Sequence, residues 1–315
     1  MNILVTGGAG FIGSHLCDSL LRDGHTVFCL DDFNNYYSPD QKISNIFNAQ
    51  KRPSFKLIRG DIRNKKLVKR IFDENEIDKV VHLAARAGVR PSFENPELYE
   101  DVNINGTKNL LDVALKNNVK QFIFASSSSV YGTNEKIPFS EEDEIQNMIS
   151  PYAKTKRKGE LLCKEYSSKG LKITILRFFT VFGPRNRPDM AVFKFSDSVY
   201  NDREIILFGD GSMKRDFTFV SDIVNGIKKS LEKEFEFEII NLGNNKPITV
   251  KELIKLIEKT IGKKASTKST AIPNGDVPIT YADISKAKRL LGWEPETSVE
   301  EGLKQFFEWY LERYT

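Results

Sequence analysis

TGGAGFIG, residues 6–13, separates a short β-branched run, Asn2–Thr6, from an amphipathic stretch, Phe11–Arg22. Its glycines satisfy the pattern G-x-G-x-x-G, in which missing side chains permit a tight turn and let backbone N–H groups approach a pyrophosphate. The helix that follows presents N–H groups and a positive dipole end to the anion. The stretch predicts a dinucleotide site formed by Gly7, Gly10, Phe11, Ile12 and Gly13.

Strand and helix patterns alternate through the first half of the chain, which predicts a parallel sheet covered by helices on both faces. The predicted strands are Asn2–Thr6, Thr26–Asp31, Phe55–Arg59, Lys79–Leu83, Gln121–Ser126 and Lys172–Phe178. The predicted helices are Phe11–Arg22, Lys65–Asn75, Leu98–Asn117 and Tyr152–Lys169. We therefore expect an α/β fold with a Rossmann-type doubly wound parallel sheet.

The pattern changes after Phe182, where Gly183-Pro184 breaks the chain. Beyond it we expect short strands and four helices, at Ile205–Phe208, Glu238–Leu242, Ile223–Lys233, Val250–Ile261, Ser285–Leu291 and Val299–Tyr314. This part predicts a smaller C-terminal α/β substrate lobe. The expected domains are 1–182, with some later segments returning to it, and 183–315.

Asp31 ends the second predicted strand, about twenty residues after the glycine turn, where a carboxylate accepts hydrogen bonds from the adenosine ribose. A carboxylate there repels a 2′-phosphate, and Asp32, Phe33, Asn34 and Asn35 supply no cation, so NAD is favoured over NADP. Asp61 and Ile62 follow the third strand and are candidates for the adenine edge. A plain turn remains the alternative for each acidic position.

Tyr152 stands four residues before Lys156, so both lie on one face of a predicted helix. The serine run 126–129 ends a strand at the carboxyl edge of the sheet, where open α/β folds place their chemistry. A phenol with a pKa of about 10 is a poor base at neutral pH. A nearby lysine cation favours the phenolate, which then takes a proton from a substrate hydroxyl held by a serine.

An ordered set of motifs spans nearly the whole chain: TGGAGFIG (6–13), HLAA (82–85), SSSSVYG (126–132), YAKTK (152–156), RFFTVFGP (177–184) and RDFT (215–218). The set resembles the extended short-chain dehydrogenase/reductase superfamily, and within it the nucleotide-sugar 4-epimerases. The resemblance implies tightly held NAD, a UDP-sugar substrate and a homodimer built through helices. It also implies hydride transfer assisted by a tyrosine, through a 4-keto intermediate.

The resemblance also assigns roles by position. Tyr152 would be the base, Lys156 the residue that binds the nicotinamide ribose, and Ser127 the serine of the triad. The implied cofactor set further includes Asp32, Asn35, Leu83, Ala84, Ala85 and Asn103, the last as a structural residue near the cofactor. The implied substrate set is Arg90, Ser127, Ser128, Ser129, Thr180, Arg187, Arg215 and Asp276, with Arg215 on the diphosphate.

The branch of the family is indicated by Ser128-Ser129. Related dehydratases look like they carry Asp-Glu there and related decarboxylases Glu, so loss of water or CO₂ is disfavoured. Residues 87–90 and 183–191 resemble UDP-glucuronate 4-epimerases, which makes UDP-glucuronate/UDP-galacturonate the expected pair. Open alternatives are a UDP-glucose/UDP-galactose or N-acetylhexosamine 4-epimerase, a nucleotide-sugar dehydratase or decarboxylase, and a non-catalytic NAD-binding regulator. Pro273 and Asn274 depart from the Arg or Gln of relatives, which leaves the uridine base open.

Composition excludes other classes. The net charge of +4 over 315 residues comes with interspersed Lys and Glu, so no nucleic-acid partner is expected. Three scattered cysteines and three scattered histidines predict reduced thiols, a cytoplasmic location and no metal site. No apolar run approaches the roughly 20 residues of a membrane span, and the first residues lack a secretory pattern.

Overall fold

A computed structural model describes residues 1–273 and 276–315. The strands are β1 Asn2–Thr6, β2 Thr26–Asp31, β3 Phe55–Arg59, β4 Lys79–His82, β5 Gln121–Ser127, β6 Ile173–Phe178, β7 Thr180–Phe182, β8 Glu204–Phe208, β9 Lys214–Arg215, β10 Phe217–Phe219, β11 Phe237–Leu242, β12 Ile248–Thr249 and β13 Ser266–Thr270. The helices are α1 Phe11–Arg22, α2 Pro39–Asn45, α3 Lys65–Glu74, α4 Pro91–Glu94, α5 Pro96–Glu100, α6 Thr107–Lys116, α7 Pro151–Ser167, α8 Ala191–Tyr200, α9 Val220–Leu231, α10 Val250–Ile261, α11 Ser285–Leu291 and α12 Val299–Tyr314.

The central sheet has seven parallel strands in the order β11-β6-β5-β4-β1-β2-β3. The order reverses between β1 and β4, and open sheets of this kind bind ligands outside the carboxyl ends of the strands at such a point. The predicted α/β fold with a doubly wound Rossmann-type sheet is confirmed.

Side chains of the strands alternate between two buried layers, as the period of a strand requires. Ile3 and Val5 of β1 belong to one apolar cluster, which also contains the buried faces of α1, α9 and α12. Leu4 belongs to the other, with α3, α6 and α7. The first cluster runs on into the C-terminal part of the chain, so both parts share one core.

The segment from α9 to β11 returns to the sheet from beyond residue 182. β11 pairs with β6 along its whole length, and α9 contacts α1 and β5. The domain boundary at residue 182 stays a prediction. In the structure, the segment from α9 to β11 packs on the sheet that the first 182 residues form. The remaining strands form three two-stranded sheets, β10-β7, β12-β9 and β13-β8.

One predicted helix differs from the structure. The stretch Leu98–Asn117 consists of α5, a π-helical turn at Asp101–Gly106 and then α6. A π turn inserts a residue into the helical repeat and often marks a functional site. This turn carries the buried Asn103.

Within the described residues, no helix combines the length and the apolar character needed to cross a membrane. The same residues contain no group of three His, Cys, Asp or Glu side chains placed to hold a metal ion.

Candidate active site

The glycine turn is shaped by close contacts that a side chain would destroy. Gly7 has a φ of +67°, and a Cβ on it would lie 2.8 Å from the Ala84 nitrogen. A Cβ on Gly13 would lie 2.1 Å from the Gly7 oxygen. Gly10 is the N-cap residue of α1, and no described side chain caps the helix. The first N–H groups of α1 therefore stay available to an anion.

An open cavity extends from this turn along the carboxyl ends of the strands. It brings together most of the predicted cofactor and catalytic residues. Those that line it are Gly7, Gly10, Phe11, Ile12, Gly13, Asp31, Asp32, Asp61, Ile62, Leu83, Ala84, Ala85, Tyr152, Lys156 and Arg187. Predicted residues outside this lining are Asn35, Asn103, Ser127, Ser128, Ser129, Thr180, Arg90, Arg215 and Asp276.

Asp31 lies at the end of the cavity that the sequence assigns to the adenosine. Its carboxylate accepts hydrogen bonds from the N–H groups of Ala9 (3.1 Å) and Phe33 (2.9 Å). Burial raises the pKa of Asp31, while the Phe33 N–H and the charge of Lys42 lower it. The carboxylate thus ties the glycine turn to the end of β2.

Lys42 of α2 is a cation that sequence reasoning missed. Its Nζ donates to the Asn34 carbonyl at 2.8 Å, and its side chain lines the cavity with Asn34, whereas Asn35 is exposed. Residues 32–35 indeed hold no cation, but α2 folds back and brings one from eight positions further on. A lysine at that distance gives no sequence signal unless the fold of α2 is known.

Asp61 lines the cavity, but its carboxylate is occupied by a neighbour. Arg63 donates to both Asp61 oxygens at 2.6–3.1 Å and reaches Asp101 at 2.8 Å. Burial raises the pKa of Asp61, but the bonds from Arg63 outweigh it and hold the pKa below its usual range. Asp61 and Ile62 therefore form part of the cavity wall, with the Asp61 carboxylate paired to Arg63.

A chain of hydrogen bonds fixes the HLAA motif. The Thr107 hydroxyl donates to the Asn103 carbonyl, so it accepts from His82 Nε2–H at 2.9 Å. His82 Nδ1 then accepts from the Thr6 hydroxyl at 2.7 Å, and the Ala84 N–H donates to that hydroxyl at 3.2 Å. Burial lowers the pKa of His82 to about 3, so it stays neutral.

Asn103 has a structural position behind the cavity. Its amide accepts from the Arg86 N–H at 2.8 Å and donates to the Arg86 carbonyl and to Thr155 at 3.0–3.1 Å. These bonds join the π turn to the segment after β4 and to α7. Arg86, which also lines the cavity, was missed because it follows the HLAA motif without a pattern of its own.

The predicted catalytic residues meet where β5 ends against α7. Tyr152 and Lys156 lie in the first turns of α7, which Ser150 caps by accepting from the Ala153 N–H. The Lys156 Nζ donates to the Ala125 carbonyl at 2.8 Å, and burial lowers the pKa of Lys156 to about 8. Ala125 and Ser126 line the cavity beside it.

Burial and neighbouring groups act on the pKa of Tyr152 in opposite directions. Burial raises the pKa of Tyr152, while the Ser127 hydroxyl and the charge of Arg187 lower it. The role predicted for Lys156, to favour the Tyr152 phenolate, stays a prediction; in the structure its Nζ donates to the Ala125 carbonyl.

Arg187 is held over the cavity by an acidic clamp. Its guanidinium donates two bonds of 2.9 Å to Asp189 and lies 5.6 Å from the ring centre of Tyr36. The Tyr36 hydroxyl donates to the same carboxylate at 3.3 Å. Tyr36 belongs to the segment after β2, so the clamp connects the cofactor side of the cavity to the segment after β7.

Four hydroxyls stand at the adjoining ends of β5 and β6. Ser127 pairs with Phe178 in the sheet, and Thr180 follows two residues later. The Ser127 and Ser129 hydroxyls lie 3.1 Å apart, and the Ser129 N–H donates to Ser127. Ser128 is buried in the same turn.

Three predicted substrate residues form a cluster of their own. Arg90 donates to Asp276 at 2.8 Å and stacks on Phe208 with its charge 4.0 Å from the ring centre. Burial lowers the pKa of Arg215, the Asp276 charge raises it, and Arg90 lowers it further. Two arginines thus face one carboxylate, which leaves an excess positive charge. Asn274 and Gly275 lie outside the described residues.

A glycine turn with a carboxylate at the next strand, and a Tyr/Lys pair beside serines, define a dinucleotide-dependent enzyme of the extended short-chain dehydrogenase/reductase class. The chain belongs to the family described as GDP-mannose 4,6 dehydratase, whose model matches residues 4–306.

The chain is similar to several UDP-sugar 4-epimerases, both in sequence and in structure. UDP-glucuronate 4-epimerase of Thermodesulfobacterium geofontis is 45% identical over 311 residues, which cover 98% of this chain and 96% of that protein. The crystal structure of UDP-glucuronic acid 4-epimerase from Bacillus cereus, with UDP-glucuronic acid and NAD, has a TM-score of 0.95 at 37% identity and covers 100% of both chains. That of UDP-glucose 4-epimerase from Thermotoga maritima, with UDP-glucose, has a TM-score of 0.92 at 35% identity, again over 100% of both chains.

Proposed function

We propose that the protein is an NAD-dependent 4-epimerase that interconverts UDP-glucuronate and UDP-galacturonate. The observation that carries the proposal is a set of neutral hydroxyls, those of Ser127, Ser128, Ser129 and Thr180, where β5 and β6 end, with Ser127 in contact with the Tyr152 phenol. The relatives named above act on UDP-sugars, and those at 45% and 37% identity are UDP-glucuronate 4-epimerases.

The residues of the cavity fit NAD. The uncapped N-terminus of α1 and the glycine turn suit its pyrophosphate, and the Asp31 carboxylate suits the adenosine ribose. When bound, NAD accepts the C4 hydrogen of the sugar with its electrons and returns it to the opposite face. The chain supplies the placement and the electrostatics of this exchange.

Tyr152 is the base for the C4 hydroxyl. Ser127 donates a hydrogen bond to the substrate oxygen and interacts with the phenol, which directs the proton toward Tyr152. The Arg187 charge favours the phenolate form. Lys156, anchored on the Ala125 carbonyl, holds the nicotinamide ribose.

The hydroxyls of Ser128, Ser129 and Thr180 bind the C6 carboxylate without a full opposing charge. Neutral donors hold the carboxylate in place but do not protonate a departing hydroxyl, so loss of water has no acid at this position. Two bonds to Asp189 hold Arg187 over the cavity, and we assign it to closure over the sugar ring. Arg215 and Arg90 take the diphosphate, because a planar fork of donors matches its oxygens.

The test is product analysis by NMR after incubation with UDP-glucuronate, UDP-glucose and UDP-N-acetylglucosamine in parallel. We expect UDP-galacturonate from the first and NAD released from the denatured protein. Turnover of UDP-glucose alone would refute the uronate assignment. A 4-keto-6-deoxy or pentose product would identify a dehydratase or a decarboxylase instead.

We also propose a homodimer in a reducing, cytoplasmic compartment. Support for the dimer is the family resemblance together with Leu161, whose side chain is half exposed on α7. Support for the compartment is that Cys17, Cys29 and Cys163 are buried and free. Sedimentation of the purified protein tests the dimer, and a monomer at micromolar concentration would refute it.

A further inference from the structure

A buried ion pair lies directly behind the catalytic residues and has no part in the mechanism above. Glu160 and Arg177 are each 1% exposed. Arg177 donates to both Glu160 oxygens at 2.9 Å and to the Tyr131 hydroxyl at 3.0 Å. Burying two charges costs several kcal/mol each and is often no gain in stability over apolar residues. The pair therefore calls for a reason other than stability.

The Glu160 carboxylate reaches the wall of the cavity. It accepts a hydrogen bond of 2.7 Å from the Ser126 hydroxyl. Four residues earlier on the same helix, Lys156 donates to the carbonyl of Ala125. Two successive residues of β5 are thus held by two successive turns of α7, immediately before Ser127. This double attachment sets where Ser127 stands relative to Tyr152.

Glu160 is also the anionic neighbour of Lys156. Cys163 lies on the same helix, but burial raises the pKa of its thiol well above its usual value, so it is neutral near pH 8. From β4 the neutral His82 faces the lysine, and from β5 the Phe124 ring lies 5.2 Å from its charge. Glu160 raises the pKa of Lys156 against the effect of burial.

We propose that Glu160 is a positioning residue of the reaction: it fixes the end of β5 through Ser126 and keeps the Lys156 side chain cationic where it meets the cofactor. The inference rests on the proposed function, since Lys156 is taken there to hold the nicotinamide ribose. Arg177 orients the carboxylate from β6 through two bonds.

The test separates this role from folding by comparing three variants. Glu160→Gln leaves Arg177 buried without its partner and can fail to fold. Glu160→Gln combined with Arg177→Met removes both charges, and an uncharged amide still accepts from Ser126. Arg157→Leu is the matched control, because it removes a partly exposed partner of the same carboxylate and keeps the buried pair.

The readouts are the pH profile of epimerisation and the affinity for NAD at pH 6.5 and pH 8. The Lys156 pKa is lowered by burial to about 8, and loss of the Glu160 charge lowers it further. If that pKa falls by about one unit, the ratio of the rate at pH 8 to the rate at pH 6.5 is about fourfold lower in the double variant than in the wild type. NAD affinity decreases over the same interval, while the control follows the wild type.

A double variant whose profile and NAD affinity superimpose on those of the wild type would overturn the inference. Wild-type protein that converts no UDP-sugar would instead refute the proposed function, and NAD affinity would still test Glu160. Ser126→Ala keeps the charge, so we expect a slower reaction with an unchanged alkaline limb. An alkaline limb that moves in Ser126→Ala would also contradict the assignment.

Discussion

Replacing Gly13 by alanine tests the close packing of α1 on the glycine turn. The new Cβ would lie 2.1 Å from the Gly7 oxygen and 2.8 Å from the Gly8 Cα, so the turn must move by about an ångström. The displaced Gly7 donates to Leu30 at 2.8 Å and accepts from Gly10 at 3.1 Å. Overpacking of this kind costs roughly 1–3 kcal/mol. Alanine in a helix is intrinsically better than glycine by about 1 kcal/mol, so the two effects have opposite signs.

We expect the contact to dominate. Thermal unfolding should occur a few degrees lower, and calorimetric titration should show NAD bound at least about tenfold more weakly, which corresponds to about 1.4 kcal/mol. Gly226→Ala in α9 is the control, because its Cβ would meet rotatable carbons of Leu242 and lies outside the residues that line the cavity. Its NAD affinity should equal that of the wild type. A Gly13→Ala protein that melts higher and binds NAD normally would refute the argument.

Three further predictions follow from the same cavity. Tyr152→Phe should keep NAD affinity but lose nearly all turnover, because the proton acceptor is gone; unchanged turnover in an NMR assay would contradict the role. Asp31→Ser should raise affinity for NADP at least about tenfold, since Lys42 remains as a cation for the 2′-phosphate; the double variant with Lys42→Met should lose that gain in a titration. The pKa of His15 is lowered to about 4 by burial, and its Nε2–H donates to Pro184. The folded state thus excludes a proton that the unfolded chain binds below about pH 6.5, so stability is lost as the pH falls. Urea unfolding should show a loss of about 2 kcal/mol between pH 7 and 5 from this group, absent in His15→Gln.

The glycine turn, the parallel sheet and the Tyr152/Lys156 pair could be predicted because each depends on residues close together in the sequence. The strand β13 could not. All five of its residues, Ser266–Thr270, are exposed, so it shows no apolar alternation and forms by pairing with β8. Helix α8 was missed although Val192, Phe193, Ser196 and Val199 bury one face, because no side chain caps its start at Met190.

Within the site, the sequence could not predict which partner each charged side chain has. The sequence gives no sign that Arg63 covers Asp61 or that Asp189 holds Arg187, because both depend on the conformation of loops. The same applies to Arg187 as a charge that acts on Tyr152, because residue spacing gives no sign of it. Residue spacing identified which groups meet, and only the structure shows which atoms they use.

β11, the edge strand beside β6 in the cofactor sheet, comes late in the sequence. β6 is left with an open edge until Phe237–Leu242 has been synthesised and has reached it. Exposed strand edges of this kind pair with other chains and promote aggregation. During translation, the cofactor sheet therefore stays incomplete until Leu242 has been added, and a truncation before this residue would leave the edge of β6 unpaired.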